Sequence, residues 1–356
     1  MSRIAIRGWG ATSPAGWGTG ALRDALEKDA PLPVKSLARP GREAPLRIRE
    51  VPAPTPPPAF FGHARLRRSG RIARFTVAAA LEALADDAPR VADGKLRLGI
   101  IVCVMTGGMN YSRRFFEEVI ENPATASPML FPETVYNAPA SHLAACLGAS
   151  TESCTLVGDG GMFLQGLALA ANWLLAGSVD GCVVVGSEES DWVAADALSR
   201  FHRGAVHSEG AGALYLLRAA EGGDQVELSL ITDSYPFSGN GSRAASARRM
   251  REALGPGIAR ELLCLGTQGV PRMDAAEQSA WSNWAGPRLS PKEILGEAFA
   301  ASAALQCVAV CDALFRGGYP AATVSVVGVN QQAIGARFEV LNRTPRQTDD
   351  ERNGKS

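Results

Sequence analysis

The segment from Ser153 to Phe163 has the layout of a nucleophile site. A short apolar run through Leu156 and Val157 meets the turn Gly158-Asp159-Gly160, and an apolar helix follows from Met162 to Ala176, closed by Gly177. We expect a buried strand, a tight turn and a helix. Such a turn exposes one side chain, and the positive end of the helix lowers the pKa of a thiol placed there. The turn offers Gly160, which has no side chain at all. Cys154, at the start of the strand, lies about 20 Å short of Gly160 if the chain between them is extended at ~3.3 Å per residue. A buried structural thiol is the reading we adopt for it. Glu297 is a general acid or base if buried, or a residue tolerated without a role. His207 precedes Ser208-Glu209-Gly210 and reads as a structural histidine beside the same cleft. Arg65, Arg67, Arg68, Arg71 and Arg74 form a basic run at a helix start, which alone reads as a solvated face.

The elements that position these residues alternate. Apolar runs with strand character fall at 3–8, 98–104, 153–158, 181–186, 212–217, 226–232, 261–265, 322–328 and 336–341, with helical patterns between them. This is an α/β pattern. Two blocks, 1–220 and 221–345, each place a helix between strands, and 346–356 is a polar tail. Pro52 to Pro58 reads as a proline-rich surface loop, and 190–206 and 234–246 as short surface loops. The 356 residues suffice for a large core, and the formal net charge of zero gives no bias toward nucleic acid or membrane. No segment is long and apolar enough to span a bilayer and none has the pattern of a secretory signal, so we expect a cytoplasmic protein. The 7 cysteines have no regular spacing, and with 4 scattered histidines we expect neither a disulfide framework nor a metal site.

The order of motifs resembles the β-ketoacyl-acyl-carrier-protein synthases, the condensing enzymes with the thiolase fold. Asn137-Ala138-Pro139-Ala140-Ser141-His142, Leu147-Gly148, the turn at Gly160, Gly177-Ser178-Val179-Asp180 and Val183 to Glu188 follow that family's nucleophile region in its own register. The opening Ile4 to Gly16, the segment Arg67-Arg68 to Ala85, Gly107-Gly108 and Ser208-Glu209-Gly210-Ala211-Gly212 resemble its further motifs. The resemblance implies a thiolase-like fold, two pseudo-duplicated halves in five α/β layers. It also implies that Gly160 stands where the family has its cysteine, Leu265 (in Leu265-Gly266-Thr267-Gln268-Gly269) where it has its first histidine, and Glu297 (in Lys292 to Glu297) where it has its second. The family's late glycine loop has become Val327-Gly328-Val329-Asn330.

That chemistry needs a thiolate to carry the acyl chain and two imidazoles to assist decarboxylation and stabilise an enolate. Glycine cannot be acylated, leucine donates no hydrogen bond, and an ionised glutamate repels an enolate. Three losses imply a subunit of the chain-length-factor type: catalytically silent, paired with an intact β-ketoacyl-ACP synthase and served by an acyl carrier protein, with no cofactor. Known chain-length factors usually carry glutamine at the nucleophile position, so Gly160 departs from them as well. The resemblance further implies pairing through the strand holding Leu156 and Val157, an interface or acyl-tunnel role for Phe115, Phe116 and Val119, and carrier docking by Arg65, Arg67 and Arg68. A homodimer through the same surface is expected of the isolated chain. The alternatives are a divergent homodimeric acyltransferase using residues such as Glu297, Cys154 or His207, and a non-catalytic acyl-binding scaffold.

Overall fold

The computed structural model describes residues 3–148, 152–219 and 225–341; the tail at 346–356 lies outside them. Ten strands carry the architecture: β1 (Ile4–Ser13), β2 (Leu98–Val104), β3 (Glu152–Val157), β4 (Gly181–Glu188), β5 (Gly210–Arg218), β6 (Gln225–Ile231), β7 (Leu262–Cys264), β8 (Arg288–Leu289), β9 (Ala321–Val327) and β10 (Gln332–Leu341). Their order is β8-β7-β9-β10-β6-β1-β5-β4-β2-β3. The first five strands therefore run third-second-fourth-fifth-first from one edge, and the last five repeat that order from the other. Directions repeat as well. β1–β5 and β5–β4 are antiparallel while β4–β2 and β2–β3 are parallel. Likewise β6–β10 and β10–β9 are antiparallel while β9–β7 and β7–β8 are parallel. A short antiparallel contact, Ala5↔Glu227 and Ile6↔Val226, joins the two sets.

The helices that clothe the strands include α1 (Arg71–Leu84), α2 (Met109–Glu121), α3 (Ala138–Cys146), α4 (Gly161–Ala176), α5 (Trp192–Phe201), α6 (Asn240–Leu254), α7 (Pro271–Ala280) and α8 (Phe299–Phe315). The strands' two-residue alternation assigns the layers. Ile101, Cys103, Val184, Leu214 and Leu216 face a central core shared with α4, α8 and Val324 and Val326 of the other half. Ile100, Val102, Val183 and Val185 face the opposite way, toward α1 and α3. Leu263, Val327 and Ala333 face α6 and its neighbour Trp281. The result is five layers, with α4 and α8 as the middle one. α8 is buried from Phe299 to Asp312, as a helix in the middle layer must be, whereas α4 buries one face and leaves Leu175 49% exposed. α8 comes so close to the strands that a Cβ at Gly212 would sit 2.7 Å from the Ala304 carbonyl carbon.

Several expectations change. The strand before the glycine turn is not buried: among the described residues β3 ends the sheet and pairs only with β2, and Val157 is 48% exposed. Its apolar run looks like a buried strand because sequence pattern does not report which strand lies at an edge. The hairpin of strands Lys35–Arg39 and Arg42–Arg49 was not anticipated; alternating arginines and small residues hide its period. Residues 190–206 hold the helix α5, not a loop, and 234–246 contains the first turns of α6. Its Gly and Ser content signals a helix start in place of a trimmed loop.

Candidate functional site

Gly160 sits at the start of α4 with φ −50° and ψ −32°. This is ordinary helical backbone, open to any residue. The space is what is missing: a Cβ there would lie 3.2 Å from the Phe299 carbonyl oxygen and 3.4 Å from Val326 Cγ1. Just before it, Asp159 is fully buried. Its carboxylate accepts from Gly161 N (3.2 Å), Gln331 N (3.0 Å) and Gln332 Nε2 (3.3 Å), while Asp159 N donates to Gln331 Oε1 at 3.0 Å. A Cβ at Gly328 would fall on that carboxylate. Burial raises the Asp159 pKa against these donors. The turn of the first half is thus tied to the 328–332 loop of the second. Sequence reading passed over Asp159, because its partners lie some 170 positions away with no local signal.

Glu297 approaches the same point from the segment just before α8. Its side chain is 1% exposed and that of Lys292 is 4% exposed, with Lys292 Nζ 2.9 Å from Glu297 Oε2. Gln268 Nε2 donates to the same oxygen at 2.6 Å, and Phe299 N donates to Oε1 at 2.8 Å. Both carboxylate oxygens are therefore taken. Phe299 itself has φ 47°, a left-handed conformation that costs a non-glycine residue about 1–2 kcal/mol, and the bond to Glu297 helps hold it. Leu265 follows β7 and packs into the outer core with Trp281 and Val327. It is Gln268, three residues on, that reaches Glu297. The structure thus brings Gly160 and Glu297 together through Phe299, whose N–H meets the Glu297 carboxylate and whose carbonyl lies against Gly160, and it turns Leu265 into apolar packing.

His207 pairs by backbone bridge with Glu297 and stacks on Phe299 at 5.3 Å between ring centroids. Burial pushes its pKa down to about 4, so it is neutral at pH 7, and neither ring nitrogen has a hydrogen-bond partner among the described residues. Cys154 is half-buried in the middle of β3, opposite Ile101. Cys103, Cys182, Cys264 and Cys307 are buried as expected, and burial raises their pKa values. The basic run divides. Arg65, Arg67 and Arg68 are exposed in the turns before α1, whereas Arg71 pairs with buried Glu209 and Arg74 donates to the Leu66 carbonyl. Arg71 and Arg74 are therefore half-buried and tied into the fold, unlike the three exposed arginines before them.

α2 carries no buried residue. Phe115 is half-buried against Phe131, with centroids 5.7 Å apart, while Phe116 is 62% and Ile120 68% exposed. Val119 is half-buried. The apolar stripe of α2 therefore lies at the surface of the single chain, outside its buried core.

Three acids beside these elements set a pH dependence. Burial pushes Glu188, Glu209 and Glu277 up to about 7. A carboxyl whose folded pKa is raised contributes stability at low pH and loses it as pH rises through that value. His207 and His202, whose pKa values burial lowers, act in the opposite sense as pH falls toward their unfolded value of about 6.5. Between pH 8 and 6.5 the three carboxyls outweigh them, so unfolding free energy should rise by roughly 1–2 kcal/mol. Urea denaturation at the two pH values measures this, and Glu188→Gln should remove about a third of the difference. A stability that is flat or higher at pH 8 rejects it.

No protein-family model matches the chain, and no curated protein does. Solved structures match along its whole length. A β-ketoacyl synthase from Burkholderia phymatum STM815 is 17% identical, with a TM-score of 0.80 over 96% of this chain and 100% of that one. The ishigamide ketosynthase/chain length factor is 19% identical, with a TM-score of 0.73 over 96% of this chain and 100% of that one. A chain from the complex of a type II PKS acyl-carrier protein with its ketosynthase bound to the hexaketide is 18% identical, with a TM-score of 0.75 over 95% of this chain and 99% of that one. The chain has the thiolase-like fold of the β-ketoacyl synthases and ketosynthase/chain length factors.

Proposed function

We propose that this chain is a catalytically silent, ketosynthase-like subunit of the chain-length-factor type. It pairs with an intact β-ketoacyl-ACP synthase in fatty-acid- or polyketide-type elongation in the cytoplasm. The observation that carries the reading is the closed site. At Gly160 there is no nucleophile and little room for one, and Glu297 is committed on both oxygens to Lys292, Gln268 and Phe299. A carboxylate with three donors is a structural pin and a poor general base. The unpaired edge of β3 supports the second half of the reading, since a free edge without proline or lysine is an association surface. Exposed Arg65, Arg67 and Arg68 are the candidate contacts for an acidic carrier protein, and residues 1–220 and 221–345 are taken as the two halves.

The test is co-expression with an intact ketosynthase and acyl carrier protein encoded beside it. A 1:1 complex by native mass spectrometry, elongation dependent on the partner's cysteine, and no acyl adduct on this chain are expected. Stoichiometric acylation of Cys154 would instead establish the acyltransferase alternative.

Restoring the nucleophile alone should fail. Gly160→Cys places a thiol against the Phe299 carbonyl, with no imidazole at position 265 or 297 to assist it. Condensation should stay at background, and only the triple change Gly160→Cys, Leu265→His, Glu297→His should give traces. Robust turnover by the single variant in a malonyl-carrier assay would show that the histidine positions are misassigned.

A further inference from the structure

Cys103, Cys182, Cys264, Cys307 and Cys311 are fully buried, whereas Cys146 and Cys154 are half-buried. The last two differ in what surrounds them. Cys154 packs against the central core. Cys146 is the last residue of α3, and its Sγ lies 3.6 Å from Nδ1 of His63. His63 stands between two short helical turns, Ala59–Gly62 and Ala64–Leu66, and is half-buried as well. A thiol in hydrogen-bond reach of an imidazole pairs a nucleophile with a base.

The backbone fixes which ring nitrogen carries the proton. Arg65 N donates to His63 Nδ1 at 3.4 Å, so the neutral ring holds its proton on Nε2 and presents Nδ1 as an acceptor. The Cys146 thiol therefore donates to Nδ1. At rest it keeps its proton. Burial pushes its pKa up, with the Arg65 charge acting against burial, and the end of α3 is the negative end of a helix. Attack on an electrophile thus needs His63 to take the proton as the new bond forms.

The surrounding charge selects the electrophile. Arg65, Arg67 and Arg68 are exposed, and none of them has an ion pair among the described residues. They attract a reagent that carries carboxylates and have nothing to act on in a neutral oxidant such as hydrogen peroxide. A disulfide with acidic groups meets both requirements. Sγ attacks one of its sulfurs, the Sγ–S bond forms as the reagent's own S–S bond breaks, and the Cys146 proton passes to His63 Nδ1. The leaving thiolate then collects a proton from the imidazolium. Cys146 is oxidised to a mixed disulfide, and half of the reagent is reduced to a thiol.

We infer that Cys146 and His63 form a thiol-modification site for small anionic disulfides, reversible by a small thiol. The site is read on the single chain and stands or falls apart from pairing with a synthase.

Incubation of the full chain with glutathione disulfide, followed by intact mass and peptide mapping, tests this. One adduct per chain is expected on Cys146, removable by reduced glutathione, with Cys154 slower by about tenfold or more. His63→Gln keeps an acceptor for Arg65 N but no base, so it should slow Cys146 by about tenfold or more and leave Cys154 unchanged. Cystamine, a cationic disulfide, should react with Cys146 about tenfold more slowly than glutathione disulfide at low salt, each rate taken relative to that with β-mercaptoethanol, and the gap should close at high salt. Absence of an adduct, a first adduct on Cys154, an unchanged Cys146 rate in His63→Gln, or equal relative rates for the two disulfides at low salt each overturns the inference. If His63→Gln does not fold, the ratio of Cys146 to Cys154 and the comparison of the two disulfides, both in the unaltered chain, still decide it.

Discussion

Glu297→Ala is expected to lower the stability of this chain by about 3–5 kcal/mol, the cost of leaving one member of a buried ion pair without its partner. The Lys292 ammonium is 4% exposed and 2.9 Å from the Glu297 carboxylate, so water cannot replace what is lost. Two further losses add to it. Gln268 Nε2 loses its acceptor, and Phe299 loses the bond on its N–H while still held at φ 47°. Lys292→Met should cost less, because Glu297 retains Gln268 and Phe299 N as donors. The double variant Glu297→Leu, Lys292→Met should recover most of the loss, since well-packed apolar residues often replace a buried pair at little cost. Urea midpoints at constant slope measure all three. A Glu297→Ala variant within 1 kcal/mol of the parent would mean that the carboxylate is not the pin described here, and would reopen a chemical role for it.

The same pair marks where sequence reading stops. Lys292, Gly296 and Glu297 could be placed in order because they fall within six residues of a recognisable motif, and the losses at Gly160 and Leu265 could be located in the same way. That Glu297 would close on Lys292 is a matter of i to i+5 geometry around the turn at Gly296, which no period reports. Asp159 was in plain view in the turn yet silent, since its meaning depends on Gln331 and Gln332 from the far half. The layers came only with the resemblance to the condensing enzymes, because Ile100 to Val104 is apolar at every position and its run does not say which residue faces which layer. The edge position of β3 was not legible, because Leu156 and Val157 would look the same in a central strand.

That edge carries the other large prediction. β3 has no partner on its outer side, and the hydroxyl of Thr155 is buried without a hydrogen-bond partner among the described residues. If a second subunit pairs there, sheet continues across the junction and Val157, 48% exposed in the single chain, becomes buried. Val157→Asp then places a charge in that junction. An unpaired charge in a closed interface costs several kcal/mol, and ~3 kcal/mol is already about a hundredfold in Kd. The fold of one chain should hardly notice, because surface substitutions away from special features stay within about 0.5 kcal/mol. Sedimentation at micromolar concentration should therefore show a dimer for the parent chain, homodimeric alone and heterodimeric with an intact ketosynthase, and a folded monomer for Val157→Asp. Phe116→Ala acts on the neighbouring question. Phe116 is 62% exposed on a helix with no buried residue, so its truncation should leave the dimer intact. If α2 borders the partner's acyl tunnel, truncation should also lengthen the partner's products. A monomeric parent, or a Val157→Asp variant that still dimerises, removes β3 as the interface. Unchanged product length in Phe116→Ala and in the matching Phe115 and Val119 truncations removes α2 from the control of chain length.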